Sequence, residues 1–164
     1  FVGHPLAEIT EQKKGDLEKV YNKGKIKIAV MPGSRQGEIT RHMKILMEVM
    51  QKLRDDSSLA NGVDFCWYFL VNKTHKAKIK QILLKNLSSN KSSNLRKIQY
   101  HIIDNVDLKR KALTKCDLGL IKAGTAVLES AYFSLPTIAF YKINIISALI
   151  LKYKLKIKYL TLEF

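Results

Sequence analysis

Cysteine, arginine, tryptophan and acidic residues are all scarce in this 164-residue chain. The two cysteines, Cys66 and Cys116, lie far apart and lack the spacing of a thiol pair. That excludes a disulfide framework and fits a reducing cytoplasm in which both thiols act as core side chains. The four histidines, His4, His42, His75 and His101, are equally dispersed and show no ligand spacing, so no metal is expected; no cofactor is expected either. No stretch is apolar for the ~20 residues that a membrane-spanning helix needs. No apolar leader with a cleavage site opens the chain.

The shortage of acid leaves a formal net charge of +15. Such a balance points to nucleic acid, to an anionic membrane, or only to a lysine-rich solvated surface. Arginine decides against the first. It supplies five of the 29 basic residues, and readers of bases and phosphates rely on its planar fork. No specific nucleic-acid partner is expected. Lysines scattered over helix faces beside many Ile and Asn read as solvated surface, with an anionic lipid surface as the competing reading.

What is present is a repeated alternation of apolar runs and helix-like patterns. Lys25–Met31 reads as a first strand ended by Pro32-Gly33. From Glu38 to Leu53, Ile39, Met43, Leu46, Met47, Met50 and Leu53 recur at helical spacing, and the methionines read as core filler. Phe65–Val71 is a continuous apolar run, as in a parallel strand covered on both faces, so Trp67 and Tyr68 read as core. A basic amphipathic helix over His75–Leu87 and a Ser/Asn-rich loop over 88–94 follow. Ile98–Ile103, a short helix over Asp107–Lys115, a strand ending at Lys122, a helix over Gly124–Ser134 and a strand over Pro136–Tyr141 complete the series. The short helix is assigned no chemistry. Strand followed by helix, repeated, predicts an α/β fold with a Rossmann-like, doubly wound parallel sheet. In the strand order 3-2-1-4-5, the first and fourth strands flank the switch point, where such folds bind ligands.

Both strands at that point end in the same kind of turn. Met31-Pro-Gly-Ser-Arg-Gln-Gly-Glu38 and Lys122-Ala-Gly-Thr-Ala-Val-Leu-Glu129 each run from a strand through a small-residue turn into a helix. The first N–H groups of a helix lack internal partners and carry partial positive charge, which suits a phosphate. Gly33 and Gly124 permit close backbone approach, and Arg35 adds a fork that matches phosphate oxygens. Glu129 projects near the same helix start and would be repelled by phosphate, so sugar hydroxyls suit it better. Arg35 and Glu38 have a plainer reading as a surface pair three residues apart. The two turns together suggest a nucleotide-sugar cradle.

Gly3-His4-Pro5-Leu6, Pro32-Gly-Ser-Arg35 with Glu38, Gly124-Thr-Ala-Val-Leu-Glu129, and Leu135-Pro136 followed by Tyr141 resemble lipid-A-disaccharide synthase, in order and spacing along almost the whole chain. The resemblance implies one half of a GT-B glycosyltransferase. It implies transfer of 2,3-diacylglucosamine from UDP to 2,3-diacylglucosamine 1-phosphate in lipid A biosynthesis. The implied UDP-binding residues are Gly33, Ser34, Arg35, Glu38, Gly124, Thr125 and Glu129, and Gly3 and His4 would lie at the cleft or hinge. A hinge histidine satisfied by backbone remains the plainer reading of His4. Where the family carries Ser before Gly-Thr, this chain has Ala123, which removes one hydroxyl donor. The family continues from the Leu160–Phe164 region into a Pro-Asn segment, which this chain is expected to lack.

The chain opens on Phe1, inside a resembling motif, and is expected to be a fragment or the product of a split gene. Residues 1–24 would form the hinge and linker from a missing N-terminal half, 25–142 the UDP-sugar-binding domain, and 143–164 an apolar and basic C-terminal helix and tail, expected to be truncated. The missing half, separately encoded in the split-gene case, would carry the acceptor site and the catalytic base, so this chain alone is expected to be inactive. In the tail, Lys152, Lys154, Lys156 and Lys158 alternate with apolar residues. They suit contact with an anionic membrane, here the inner face of the cytoplasmic membrane of a Gram-negative bacterium, or alternatively an edge strand. The competing functional class is an inactive remnant, or a module of a split gene that binds UDP or membrane. UDP-N-acetylglucosamine 2-epimerases share the architecture and are not separated by fold alone.

Overall fold

The computed structural model describes residues 24–56, 58, 63–88 and 98–142. In chain order these form β1 (Lys25–Met31), α1 (Gln36–Asp55), β2 (Asp64–Leu70), α2 (Lys73–Ser88), β3 (Gln99–Ile103), α3 (Val106–Lys115), β4 (Leu118–Lys122), α4 (Thr125–Tyr132) and β5 (Thr137–Phe140). The five strands make one parallel sheet in the order β3-β2-β1-β4-β5, as the alternation of patterns predicts. Gly3, His4, the proposed hinge, most of the Ser/Asn-rich loop, and the tail with Lys152, Lys154, Lys156 and Lys158 lie outside the described residues.

Side-chain alternation on β1 builds the two faces. Ile28 and Val30 pack with Trp67, Phe69 and Val71 against Ile39, Met43, Leu46, Met47 and Met50 of α1 and Ile79 and Leu83 of α2. Ala29 and Met31 point the other way, toward Ala112 and Leu113 of α3 with Leu70, Cys116, Phe133 and Leu135. A strand covered on both faces has no polar side to show, which is why β2 reads as an unbroken apolar run. Trp67 and Phe69 are almost wholly buried on the α1 and α2 side, and Cys66 and Cys116 are buried free thiols. Removing any of these large core side chains leaves a cavity and costs ~2–5 kcal/mol.

Helices α1 and α2 accompany the steps from β1 to β2 to β3. Helix α3 accompanies the return across the sheet to β4. Right-handed crossovers then require α3 on the opposite face, which is where its buried residues pack. The direction in which successive strands are added reverses between β1 and β4, and this opens a crevice at their carboxyl ends.

Strand ends depart slightly from the sequence expectation. Strand β5 begins at Thr137 rather than Pro136, because proline has no N–H for the ladder. The Pro136 carbonyl still accepts from the Gly119 N–H at 2.8 Å. Strand β4 begins after Asp117, whose carboxylate accepts the Lys27 N–H at 2.8 Å and fixes the start of β4 against β1.

Candidate functional site

The crevice between β1 and β4 holds a cavity of about 140 Å³. Met31, Gly33 and Ser34 line it at the end of β1, Leu70 and Asn72 at the end of β2, and Lys122, Gly124, Thr125 and Ala126 at the end of β4. Lys109 of α3 completes the wall. Among the described residues no acidic side chain lines it.

Both turns depend on glycine. Gly33 has φ +118° and Gly124 has φ +149° with ψ −162°, backbone conformations that residues with a Cβ seldom adopt. A Cβ on Gly33 would also lie 3.0 Å from Oε2 of Glu38. Among the described residues, no backbone acceptor faces the N–H groups of Gly33, Ser34 and Arg35, nor those of Gly124, Thr125 and Ala126. The second set opens α4, so it carries the helix's partial positive charge.

Two histidines hold the first turn open. Nδ1–H of His42 donates to the Pro32 carbonyl at 2.7 Å, while Nε2 accepts the Lys142 N–H at 3.1 Å. His42 is wholly buried, edge-on to Phe140 with ring centres 5.3 Å apart. Nε2–H of His75 donates to the Ser34 carbonyl at 2.8 Å. The carbonyls on either side of Gly33 are therefore engaged away from the cavity. An engaged carbonyl does not compete with an incoming anion for the neighbouring N–H groups.

Lys122, the last residue of β4, places Nζ 3.5 Å from Oε1 of Glu38 and 5.2 Å from the centre of the Tyr141 ring. Glu38 is only 5 % exposed, and its Oε2 has no hydrogen-bond partner among the described residues. On the opposite wall, Nζ of Lys109 lies 3.4 Å from Oδ1 of Asn72. Burial holds Lys109 below the usual lysine range, with the charges of Glu129 and Asp104 opposing that effect. An anion in the cavity would offset the same desolvation cost.

Of the residues singled out in sequence, Gly33, Ser34, Gly124 and Thr125 come together around the cavity. Arg35 is exposed at the N-cap position of α1, outside the cavity lining. Glu38 lies beneath the first turn, and its ion-pair partner is Lys122, not Arg35. Glu129 is half-buried beyond the lining, close enough for its charge to act on Lys109. Sequence reasoning missed Lys109, Asn72, His42, His75 and the role of Lys122. Only Lys122 carried a signal, as the cation directly before Ala-Gly-Thr. No cluster of metal-ligating side chains occurs among the described residues, and none of their helices is long and apolar enough to cross a membrane.

Fold and crevice together define a Rossmann-like α/β domain with a cation-lined pocket at its switch point. The chain belongs to the lipid-A-disaccharide synthetase family, whose family model matches residues 1–163. Its relatives include the lipid-A-disaccharide synthase of Rickettsia bellii (strain OSU 85-389), 32% identical over 169 residues that cover 99% of this chain and 39% of the relative. The synthase of Pseudomonas entomophila is 31% identical over 166 residues, and that of Acinetobacter baylyi 29% over 175, each covering 99% of this chain and 40% of the relative. The chain thus spans about two fifths of the length of the curated relatives it matches.

Proposed function

We propose that this domain is the UDP-binding half of a GT-B glycosyltransferase that acts in lipid A biosynthesis. The complete enzyme would move 2,3-diacylglucosamine from UDP to 2,3-diacylglucosamine 1-phosphate. One observation carries the reading: among the described residues, two glycine turns, each with N–H groups that no backbone acceptor faces, meet over one cavity with two lysines and no carboxylate in its lining.

In this reading Gly33, Ser34, Gly124 and Thr125 hold the diphosphate. Arg35 reaches it from the rim, and Glu129 accepts from the ribose hydroxyls. The N–H groups and cations are aimed where negative charge grows as UDP departs, so they stabilise the transition state more than the bound donor. Each donor to a developing anion supplies roughly 3–4 kcal/mol of barrier reduction. The acceptor hydroxyl must lose a proton to a carboxylate base, and no residue described here is assigned that part. The base and the acceptor site belong to the remainder of the enzyme, separately encoded or contiguous. The chain alone binds nucleotide without turning over. The lysine-rich surface and the tail lysines 152, 154, 156 and 158 would hold the enzyme at an anionic membrane on its cytoplasmic side, where acylated substrates reside.

Calorimetric titration of UDP into the chain tests this reading, beside Arg35→Ala and Glu129→Ala. Saturable binding, weakened by each substitution, supports the cradle. Absence of binding by a folded chain would leave the inactive-remnant reading in its place.

A further inference from the structure

Lys122 and Glu38 form an incomplete ion pair. At 3.5 Å the contact from Nζ to Oε1 exceeds the 2.7–2.9 Å of a strong charged hydrogen bond. An ammonium has three donors, and among the described residues this one makes a single ion pair and lies over an aromatic ring, facing a cavity it helps to line. Beneath it, Glu38 is buried and leaves Oε2 without a partner among the described residues. Nζ also lies beside the second glycine turn, since a Cβ on Gly124 would come within 3.4 Å of it. Lys122 therefore spans both turns, anchored at the first through Glu38 and positioned at the second through its own place in β4.

We propose that Lys122 contacts the bound phosphoryl group and that Glu38 is its positioning residue, not itself a ligand contact. This deepens the proposed function and rests on it. The buried carboxylate fixes the direction of a long, flexible side chain and leaves its remaining donors free toward the cavity. A carboxylate exposed to the cavity would repel phosphate. One that is covered by the lysine it holds does so far less. Tyr141 limits the other positions open to the ammonium.

The test compares UDP, inorganic pyrophosphate and uridine as ligands of the purified chain. Lys122→Met alone would strand a buried carboxylate and can unfold the protein. The informative variant is therefore the double substitution Lys122→Met with Glu38→Gln, which removes both charges. The expected result is at least about tenfold weaker binding of UDP and pyrophosphate, with uridine affinity unchanged. A structural role alone would shift all three ligands together or none. Glu38→Gln alone keeps the ammonium but frees it, and should weaken UDP by less than the double variant does. Wild-type UDP affinity in the double variant would overturn the phosphate contact. Unchanged or tighter UDP binding in Glu38→Gln would overturn the positioning role. If the wild-type chain binds pyrophosphate but not uridine, the nucleotide reading fails, and the Lys122 contact stands only where the double variant binds pyrophosphate more weakly. If it binds none of the three, both fall.

Discussion

Replacing Gly33 by Ala tests the first turn where backbone and side chain act together. At φ +118° an alanine is held in a region that costs ~1–3 kcal/mol. Its methyl would also come within 3.0 Å of Oε2 of Glu38, a buried oxygen on a side chain already held to Lys122. Moving that carboxylate weakens the ion pair, for a further ~1 kcal/mol. The sum is about 2–4 kcal/mol out of a typical domain stability of ~5–15. Gly124→Ala is the internal control. Its backbone strain is similar, but the nearest atom to the new methyl is the flexible Lys122 Nζ at 3.4 Å, so only the strain should register. Urea unfolding followed by circular dichroism measures both. The account predicts lower midpoints with unchanged slopes, and a larger loss for Gly33. A Gly33→Ala midpoint within error of wild type would refute the reasoning, because neither the backbone conformation nor the packing against Glu38 could then be as described.

Further expectations follow from other parts of the structure. His42→Ala should cost about 2–4 kcal/mol in the same assay, since it leaves a cavity and strips partners from the Pro32 carbonyl and the Lys142 N–H. Burial, with the neighbouring Cys66 thiol, pushes the Tyr68 phenol up to about 12. The folded state therefore keeps that proton when the unfolded chain has lost it, and stability should fall as pH rises from ~10 toward 12. Absorbance titration should show Tyr68 ionising after exposed tyrosines, and a single transition for all of them would contradict this. Cys66 and Cys116, both buried, should resist a thiol reagent in the native protein and both react in denaturant. Lys109→Met should weaken pyrophosphate binding several-fold without reducing stability, because the substitution removes a charge whose burial is unfavourable.

Much of the fold was legible in the sequence because burial on both faces leaves a plain signal. Strand β1 is bounded on one side by polar chain and on the other by Pro32-Gly33, and its limits match the expectation at both ends. The strand order follows from repeated strand-helix units, which allow few un-knotted right-handed arrangements. The glycine turns were legible for a similar reason, since only glycine suits their backbone. The side-chain partnerships were not. Glu38 meets Lys122 across 84 positions, a contact made by the β1–β4 pairing rather than by local spacing. Local spacing offered Arg35 as its partner instead. His42 reads in sequence as one more dispersed histidine, yet it ties Lys142, two residues past β5, to the first turn across 100 positions. Lys109 lies on a helix whose sequence carries no motif, and its place in the cavity wall comes from the crossover that carries α3 over the sheet.

The central claim is that the two glycine turns receive a nucleotide diphosphate together. Amide chemical shifts of the ¹⁵N-labelled chain, followed while UDP is added, test it most directly. The account predicts the largest, saturable changes at the N–H groups of Gly33, Ser34, Gly124 and Thr125, with the indole of the buried Trp67 unmoved. Changes confined to the small cavity at the amino ends of the strands, around Asp64 and Gln99, or to one turn without the other, would contradict it.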